Sequence, residues 1–422
     1  MPFPYSLKLG STLKVFLTFD TKLRRNLLIL FTAGLLFWSS LASLLPTLPL
    51  YIEYIGGTKQ QIGLVMGTFA IGLLLFRPWL GQLADGRSRK LVLLIGLGAA
   101  AIAPLGYMVV KSIPLLIVLR AFHGISIAAF STGYSALVAD IAPAKQRGEV
   151  IGYMSLVTAI GMGLGPALGG YLQESAGYNP TFLLSAGLAM LGLLCTSQII
   201  NPSIATVETT KDNGTKNQWR LLISPRLRIP AIILLLIGLA FGTLSTFVPL
   251  FIKSIGVNLN AGLFYTATAI ASFAVRIIGG RASDRYGRGL LITISLIFYT
   301  LSMLFLWLAT SANMFLLAGV LEGTGAGMLL PTVAAMLVDR AMPQERGRIF
   351  GVGMVGFDLG IAIAGPFLGL IAEQVGYRQM FGFAAGLVCL ALLIFLTCSS
   401  KDLPHSFRFA LGRGKDIYAM NK

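Results

Sequence analysis

Twelve long apolar runs dominate this sequence and limit the folds open to it. The runs cover residues 27–52, 61–80, 91–110, 113–139, 149–172, 181–200, 229–252, 261–279, 290–310, 313–338, 349–372 and 380–398. A helix needs about 20 apolar residues to cross the hydrocarbon core of a membrane, which is about 30 Å thick. Only 12% of the 422 residues are charged and 55% are hydrophobic, which is too apolar for a soluble protein. We therefore predict an all-α integral membrane protein with twelve transmembrane helices.

The second half of the sequence repeats the first. Residues that match at an offset of 199 positions include Gly63 with Gly262, Arg77 with Arg276, Gly124 with Gly323, Asp140 with Asp339 and Gly177 with Gly376. An even number of runs separates the two copies, so both halves have the same orientation in the membrane. We predict two pseudo-symmetric six-helix bundles, residues 27–200 and 229–398, joined by a polar linker at 201–228 and flanked by tails at 1–26 and 399–422.

The basic residues are distributed unevenly between alternate loops. Lys and Arg number 33 and give the chain a net charge of +17; 26 of them lie in the two tails, the linker and the loops on the same side. Cytoplasmic loops of membrane proteins carry such an excess, so we predict cytoplasmic termini in a multi-pass protein of the bacterial inner (plasma) membrane. Nucleic-acid binding requires cations gathered on one face of a soluble domain, so no nucleic-acid partner is expected.

A short motif of glycine, aspartate and cations follows the second run and returns after the eighth. The first copy, GQLADGRSRK, contains Gly81, Asp85, Arg89 and Lys90, and the second, GRASDRYGRG, contains Gly280, Asp284, Arg285, Gly287 and Arg288. In such a motif the glycine allows two helices to approach closely, the aspartate favours a turn, and the cations stay in water at the membrane face. A positively charged turn would explain one copy, but two copies at one offset indicate a shared role.

This motif resembles motif A, the cytoplasmic loop signature of the major facilitator superfamily, although the first copy has Gly86 and Ser88 where a cation and a glycine are usual. The resemblance extends over residues 26–398. It implies the fold of that superfamily, in which a small-molecule substrate binds near the membrane midplane between the two halves. It also implies a monomer, and a loop around Asp85 that holds a cytoplasmic gate closed in one state.

The fifth run contains a second motif, GMGLGPALGG. Its members are Gly161, Gly165, Pro166, Gly169 and Gly170. Small residues at helical spacing let a neighbouring helix pack against the backbone, so a plain packing face is one interpretation. The pattern also resembles motif C, the antiporter signature of the superfamily's drug:proton exporters, in which this face helps to seal one side of the cavity. That resemblance implies proton-coupled efflux of small amphipathic or drug-like molecules by alternating access.

Six ionisable residues lie inside the predicted spans: Arg77, Arg120, His123, Arg276, Glu322 and Asp358. A charge at the bilayer centre costs about 2.5–3.5 kcal/mol on insertion scales, so each is a candidate functional residue. We expect Arg77 and Arg276, near the ends of their spans, to snorkel or to pair with Asp85 and Asp284.

The segment LRAFHGISIA, which contains Arg120 and His123, resembles motif B, whose arginine is implicated in proton handling. Arg120 and His123 are three residues apart and share a helix face, and Glu322 is the equivalent of His123 in the second half. We hypothesise that Glu322, compensated across the cavity by Arg120 and His123, couples proton entry to substrate release. A static ion pair between the halves is the alternative, and Asp358 is a rival proton carrier unless it pairs with a buried arginine.

Other functions have less support in the sequence. No glycine-rich phosphate loop of the ATPase type, no metal-ligand spacing among the cysteines and no pairing of a nucleophile with a base is found, so we predict neither an enzyme nor a cofactor. Besides the lipid bilayer, the expected partners are a small-molecule substrate and protons. The alternatives are a proton symporter or uniporter that imports a sugar, amino acid or organic anion, and a non-transporting receptor or assembly subunit.

Overall fold

A computed structural model describes residues 19–143, 146–199, 224–342 and 346–420; the side chains of 277–281, 284 and 346–348 fall outside the described set. The helices of the first half are α1 (Thr21–Ser43), α2 (Leu48–Tyr54), α3 (Lys59–Gly86), α4 (Arg89–Val109), α5 (Ile113–Ile141), α6 (Arg147–Met154), α7 (Leu156–Ala176) and α8 (Tyr178–Ser197). Those of the second half are α9 (Arg228–Ser254), α10 (Ala261–Tyr286), α11 (Arg288–Leu308), α12 (Ala312–Asp339), α13 (Arg346–Cys398) and α14 (Leu403–Ala410). Most of the predicted linker, residues 200–223, lies outside the described residues.

These helices make twelve membrane crossings among the described residues. Ten helical stretches are long and apolar enough to cross a membrane, with α1–α2 and α6–α7 each forming one stretch. The stretch in α13 contains two crossings, because Gly376 has a φ of 84° and turns the chain between them. The twelfth is α10, which occupies in the second half the place of α3 in the first. The prediction of twelve helices in two pseudo-symmetric bundles is confirmed, and the protein is a multi-pass membrane protein.

Within each half, equivalent glycines bring helices into backbone contact. A Cβ at Gly124 of α5 would overlap the carbonyl oxygen of Phe69 of α3. A Cβ at Gly323 of α12 would overlap the carbonyl oxygen of Thr268 of α10, at the same offset of 199. The repeated glycines are therefore positions where only the smallest residue allows the two helices to pack.

Between the halves, two further contacts are related by the same repeat. Gly63 of α3 lies against Gly365 of α13, and Gly262 of α10 lies against the carbonyl oxygen of Pro166 of α7. Lys253 also forms an ion pair with Glu53 across the halves at 2.7 Å. We call this side, with the loops at 55–58 and 255–260, the closed end.

The opposite side has no such glycine contact between the halves among the described residues. This side carries the motif loops at 87–88 and 287 and the described segment 399–420, and we call it the open end. Ideal Cβ atoms built at Gly81, Gly148 and Gly351 would meet no described atom within 4 Å. Among the described residues, the close glycine contacts between the halves therefore lie on the closed-end side of the molecule.

Part of the predicted C-terminal tail is folded onto the second half. Asp402 caps α14 by accepting a hydrogen bond from the backbone N–H of His405 at 2.9 Å. The fully buried guanidinium of Arg340 donates to both carboxylate oxygens of Asp416, at 2.7 and 3.1 Å, and to the carbonyl of Arg226 at 2.8 Å. Arg340 thus ties together the segment before α9, the end of α12 and the C-terminal segment.

Candidate functional site

A central cavity of about 410 Å³ lies between the halves, on the open side of the Gly63 and Gly262 contacts. Aromatic and aliphatic side chains from α1, α3, α7, α9, α10, α12 and α13 form most of its wall. Five of the six predicted intramembrane ionisable residues also line it: Arg77, Arg120, Arg276, Glu322 and Asp358. The sixth, His123, is buried behind the wall.

Glu322 on α12 is the cavity carboxylate without a cationic partner. It is 2% exposed, and its Oε1 accepts a hydrogen bond from the hydroxyl of Tyr299 at 2.8 Å. Its Oε2 has no hydrogen-bond partner among the described residues. No described cation lies within 4.0 Å, so the predicted compensation of Glu322 by Arg120 and His123 is absent from this structure.

The physical reason is that Arg120 is engaged within its own half. Its Nη1 donates to Nδ1 of His123 at 3.2 Å, and its guanidinium lies 4.3 Å from the ring centroid of Phe69. A guanidinium can only donate, so Nδ1 of His123 accepts, and we assign the ring proton to Nε2. The predicted shared face of Arg120 and His123 is confirmed. The Tyr107 hydroxyl also lies 3.0 Å from Nδ1 of His123.

His123 and Glu322 are repeat equivalents and each contacts a tyrosine, but the two tyrosines occupy different positions on their helices, since Tyr107 corresponds to Leu306 and Tyr299 to Ala100. Tyr107 on α4 contacts His123, and Tyr299 on α11 contacts Glu322. The helices α4 and α11 are equivalent in the two halves. The group beside the tyrosine is therefore a neutral ring, His123, in the first half and a carboxyl group, Glu322, in the second. Only the second group can carry a negative charge in the cavity.

Asp358 on α13 forms an ion pair with Arg77 on α3, with 2.5 Å between Oδ2 and Nη1. This contact crosses between the halves beside the cavity, and it confirms the interpretation that Asp358 pairs with an arginine inside the spans, although the Arg77 side chain is 38% exposed. The predicted pairing of Arg77 with Asp85 is wrong. Eight residues separate them, which is about 12 Å along a helix, and Asp85 is exposed at the open end.

Arg276 on α10 is the repeat equivalent of Arg77, but its surroundings differ. It lines the cavity, and no described carboxylate forms an ion pair with it. Its predicted partner, the side chain of Asp284, lies outside the described residues. Among the described cavity residues, Arg276 therefore offers a guanidinium without an acidic neighbour.

The arginines of the motif A loops form ion pairs that were not predicted from the sequence. Arg89 at the start of α4 pairs with Asp140 at the end of α5. At the equivalent place in the second half, Nε of Arg288 lies 3.2 Å from Oδ2 of Asp339. Both arginines keep part of their surface exposed, 23% for Arg89 and 25% for Arg288, but each also pairs with an aspartate of its own half, which was not predicted. The repeat of Asp140 as Asp339 was the available signal, since matched aspartates beside matched cations suggest an ion pair.

Other members of the two motif copies differ in their settings. The ammonium group of Lys90 donates to the carbonyls of Ser197 and Ile199, at 2.7 and 2.6 Å. The predicted close helix approach at Gly81 is absent in this conformation, because no described atom lies within 4 Å of its Cβ position. The side chains at positions 280 and 284 fall outside the described residues. Arg285 is exposed, with its guanidinium 5.4 Å from the ring centroid of Tyr286.

The two copies also turn the chain differently, where the first departs from the motif. Gly287 has a φ of 91°, in the left-handed region that favours glycine. Ser88, at the equivalent position, has an extended φ of −168°, and its hydroxyl accepts a hydrogen bond from the N–H of Leu91. The serine therefore caps α4, which explains how the first loop turns without glycine.

The motif in α7 presents two faces. Gly161, Gly165 and Gly169 face α1; a Cβ at Gly165 would lie 2.5 Å from the carbonyl oxygen of Ser39. Gly170 and Pro166 face α10 instead, at Asn260 and Gly262. One face of the motif therefore packs α7 against α1 of its own half. The other face packs α7 against α10 of the second half, at the closed end.

The chain was compared with known proteins. The family model for the Major Facilitator Superfamily matches residues 30–289 and 258–411. The multidrug resistance protein MdtG of Salmonella paratyphi A is 27% identical over 377 residues, which make up 86% of this chain and 93% of that protein. MdtG of Salmonella typhi has the same identity and coverage.

Two solved structures have the same fold. The nucleoside transporter NupG aligns with a TM-score of 0.71 at 16% identity, over 87% of this chain and 97% of that chain. A bacterial homolog of the human lysosomal transporter Spinster, in an inward-facing and unoccupied conformation, aligns with a TM-score of 0.74 at 14% identity, over 94% of this chain and 99% of that chain. With the family model matching most of its length, the chain belongs to the major facilitator superfamily of secondary transporters.

Proposed function

We propose that this transporter exports small amphipathic or drug-like molecules in exchange for protons, and that Glu322 carries the proton. The relatives named multidrug resistance protein support the substrate class. The observation that carries the proton assignment is the buried Glu322 carboxyl group, which lines the cavity with one oxygen unpartnered among the described residues. A monomer is sufficient for this function, since the cavity is formed between the halves of one chain.

The open end is assigned to the cytoplasm. It carries the basic loops and both described termini, as the positive-inside rule requires. The described conformation then faces inward, with the closed end toward the outside. In a bacterial cell this places the protein in the inner membrane, with a substrate entering the cavity from the cytoplasm.

Glu322 suits proton exchange better than Asp358 does. An uncompensated charge in the membrane is costly, so Glu322 favours its protonated form until a cation or a hydrogen-bond donor reaches Oε2. A substrate that supplies such a group favours loss of the proton, and a returning proton displaces the substrate. Asp358 already has Arg77 as its partner, and this pair keeps its charge compensated without substrate.

The test is proton movement in vesicles that contain the purified transporter, an internal pH dye and an imposed proton gradient. Lipophilic cations and amphipathic drugs are added one at a time. We expect an active compound to collapse the gradient with the native protein and with Glu174→Gln, an exposed control carboxylate, but not with Glu322→Gln. Unchanged proton movement in Glu322→Gln would remove Glu322 from the mechanism.

A second function, proton-coupled symport of an organic anion, is favoured by one observation. Arg276 lines the cavity without a described acidic partner, and a substrate carboxylate or phosphonate would supply one. If anions but not cations drive proton movement in the same vesicles, and Arg276→Gln abolishes the response, this alternative replaces the exporter of cationic drugs. The sign of the pH change distinguishes inward symport from exchange.

A further inference from the structure

Helix α14 has three different faces. Ser406, Phe409 and Ala410 are buried against the second half. Leu403, Phe407 and Leu411 are 52%, 41% and 46% exposed, and their spacing of four residues aligns them as one apolar stripe beside the buried face. His405 and Arg408 occupy the remaining arc and are exposed. A helix that separates a protein-facing, an apolar and a charged face has the pattern of an interfacial membrane helix.

The contacts of α14 set its depth. It begins five residues after Cys398, where α13 ends. The ring of Phe409 lies 6.0 Å from that of Phe395, which is three residues, or about 4.5 Å, inside the end of α13. The hydroxyl of Thr293, in the second turn of α11, donates to the carbonyl of Ala410 at 2.8 Å. The helix therefore lies level with the ends of the crossing helices, where acyl chains meet headgroups.

The charge around the apolar stripe is positive. Lys401, Arg408, Arg413 and Lys415 are exposed, and none forms an ion pair with a described residue. The nearby carboxylates are already engaged, since Asp416 binds Arg340 and Asp402 lies 2.6 Å from the His405 ring. Each such cation near a membrane strengthens binding to anionic lipids by about fivefold.

We propose that α14 is an interfacial helix that places its apolar stripe (Leu403, Phe407 and Leu411) among the acyl chains and binds anionic phospholipid headgroups with the four flanking cations. This function is separate from transport through the cavity. The Arg340 pair with Asp416 then holds the rest of the C-terminal segment over the second half. Charge complementarity favours an anionic lipid surface as the occupant, because a second copy of this basic surface would repel the first.

The first test measures depth by electron paramagnetic resonance. The native Cys195, Cys389 and Cys398 are replaced with serine, and a nitroxide is attached to Phe407→Cys or, as a matched control one residue away, to Arg408→Cys. In nanodiscs that contain phosphatidylglycerol, we expect oxygen to relax the label at 407 faster than a water-soluble nickel chelate does, and the reverse at 408. Equal access of the chelate to both labels would overturn the proposal. So would a label at 407 shielded from both reagents, since that indicates cover by protein.

The second test measures lipid preference in the full-length protein. Native mass spectrometry measures how strongly the native protein and the variant Arg408→Gln/Arg413→Gln/Lys415→Gln retain phosphatidylglycerol relative to phosphatidylcholine. The control, Lys22→Gln/Arg25→Gln/Arg87→Gln, removes three exposed cations from the same membrane side of the first half. We expect the first variant to lose the preference by about tenfold or more and the control to keep it. Equal losses in both would show that only net charge matters, and would overturn a site at α14. Unchanged melting temperatures establish that both variants are folded.

Discussion

The substitution Gly63→Ala tests whether the two halves alternate about the closed-end contacts. A Cβ at position 63 would overlap the carbonyl oxygen of Gly365 and lie 3.1 Å from its Cα. Carbon atoms in good contact are about 3.5–4.0 Å apart, and both obstructing atoms belong to the backbone, so no change of rotamer relieves the overlap. The helices must separate, and the substitution therefore penalises the conformation in which this end is closed.

The size of the effect follows from the packing. Adding a methyl group to a fully packed contact costs about 1–3 kcal/mol, which changes the ratio of two conformations by a factor of about 5 to 150. The contact is lost when the closed end opens, so the penalty does not apply to that state. We expect Gly63→Ala to shift the population toward the state in which the closed end is open, and Gly262→Ala, at the equivalent contact, to do the same.

Double electron–electron resonance measures this shift. Nitroxides at Lys111→Cys and Ser311→Cys, exposed positions at the closed end of different halves, report how far the ends are apart. The control is Gly187→Ala, where a Cβ would meet no described atom within 4 Å. We expect longer distances to gain population in Gly63→Ala and not in Gly187→Ala. An unchanged or shorter distance distribution in Gly63→Ala would refute the reasoning.

Three further predictions concern charges. Asp358→Asn and Arg77→Gln each leave a charged partner uncompensated, and each should lower the free energy of unfolding by about 1–3 kcal/mol, with allowance for the partly exposed arginine. We expect the double variant to recover part of the lost melting temperature. Additive losses would contradict a direct pair. Arg340→Gln breaks its buried pair with Asp416 and should speed hydrogen exchange across residues 403–418, an effect that an exposed substitution such as Arg413→Gln should lack. Asp85→Asn should leave membrane insertion normal but slow turnover if the loop around Asp85 acts as the proposed gate, since Asp85 is exposed in this conformation; a native transport rate would rule out the gate role.

The membrane fold could be predicted from the sequence because its signals are local. In a membrane, runs of about 20 apolar residues can satisfy their backbone hydrogen bonds only as helices. The repeat that matches Gly63 with Gly262 relates the two halves from the sequence alone. The contact between Arg120 and His123 was also predictable, since residues three apart share a helix face. The stripe of Leu403, Phe407 and Leu411 follows the same rule, although composition alone predicts only a polar tail for residues 399–422.

The ion pairs could not be predicted in the same way. Sequence position predicts that Arg77 pairs with Asp85 on its own helix and that Glu322 pairs with Arg120 across the cavity. In the structure Arg77 reaches Asp358 on the other half, while Arg120 turns to His123 and Phe69. These choices depend on which helices adjoin after the halves dock, and no local pattern contains that information.

The sequence by itself determined the class of protein, the number of crossings and the positions of the intramembrane charges, because apolar length, repeat and charge are properties of single segments. Only the tertiary structure decided which end is closed, which carboxylate lacks a cation and how the C-terminal segment is docked. In the sequence, Glu322 and Asp358 look alike, because each is an acidic residue within an apolar helix. They differ because α3 brings Arg77 to one of them, and α11 brings a hydroxyl to the other.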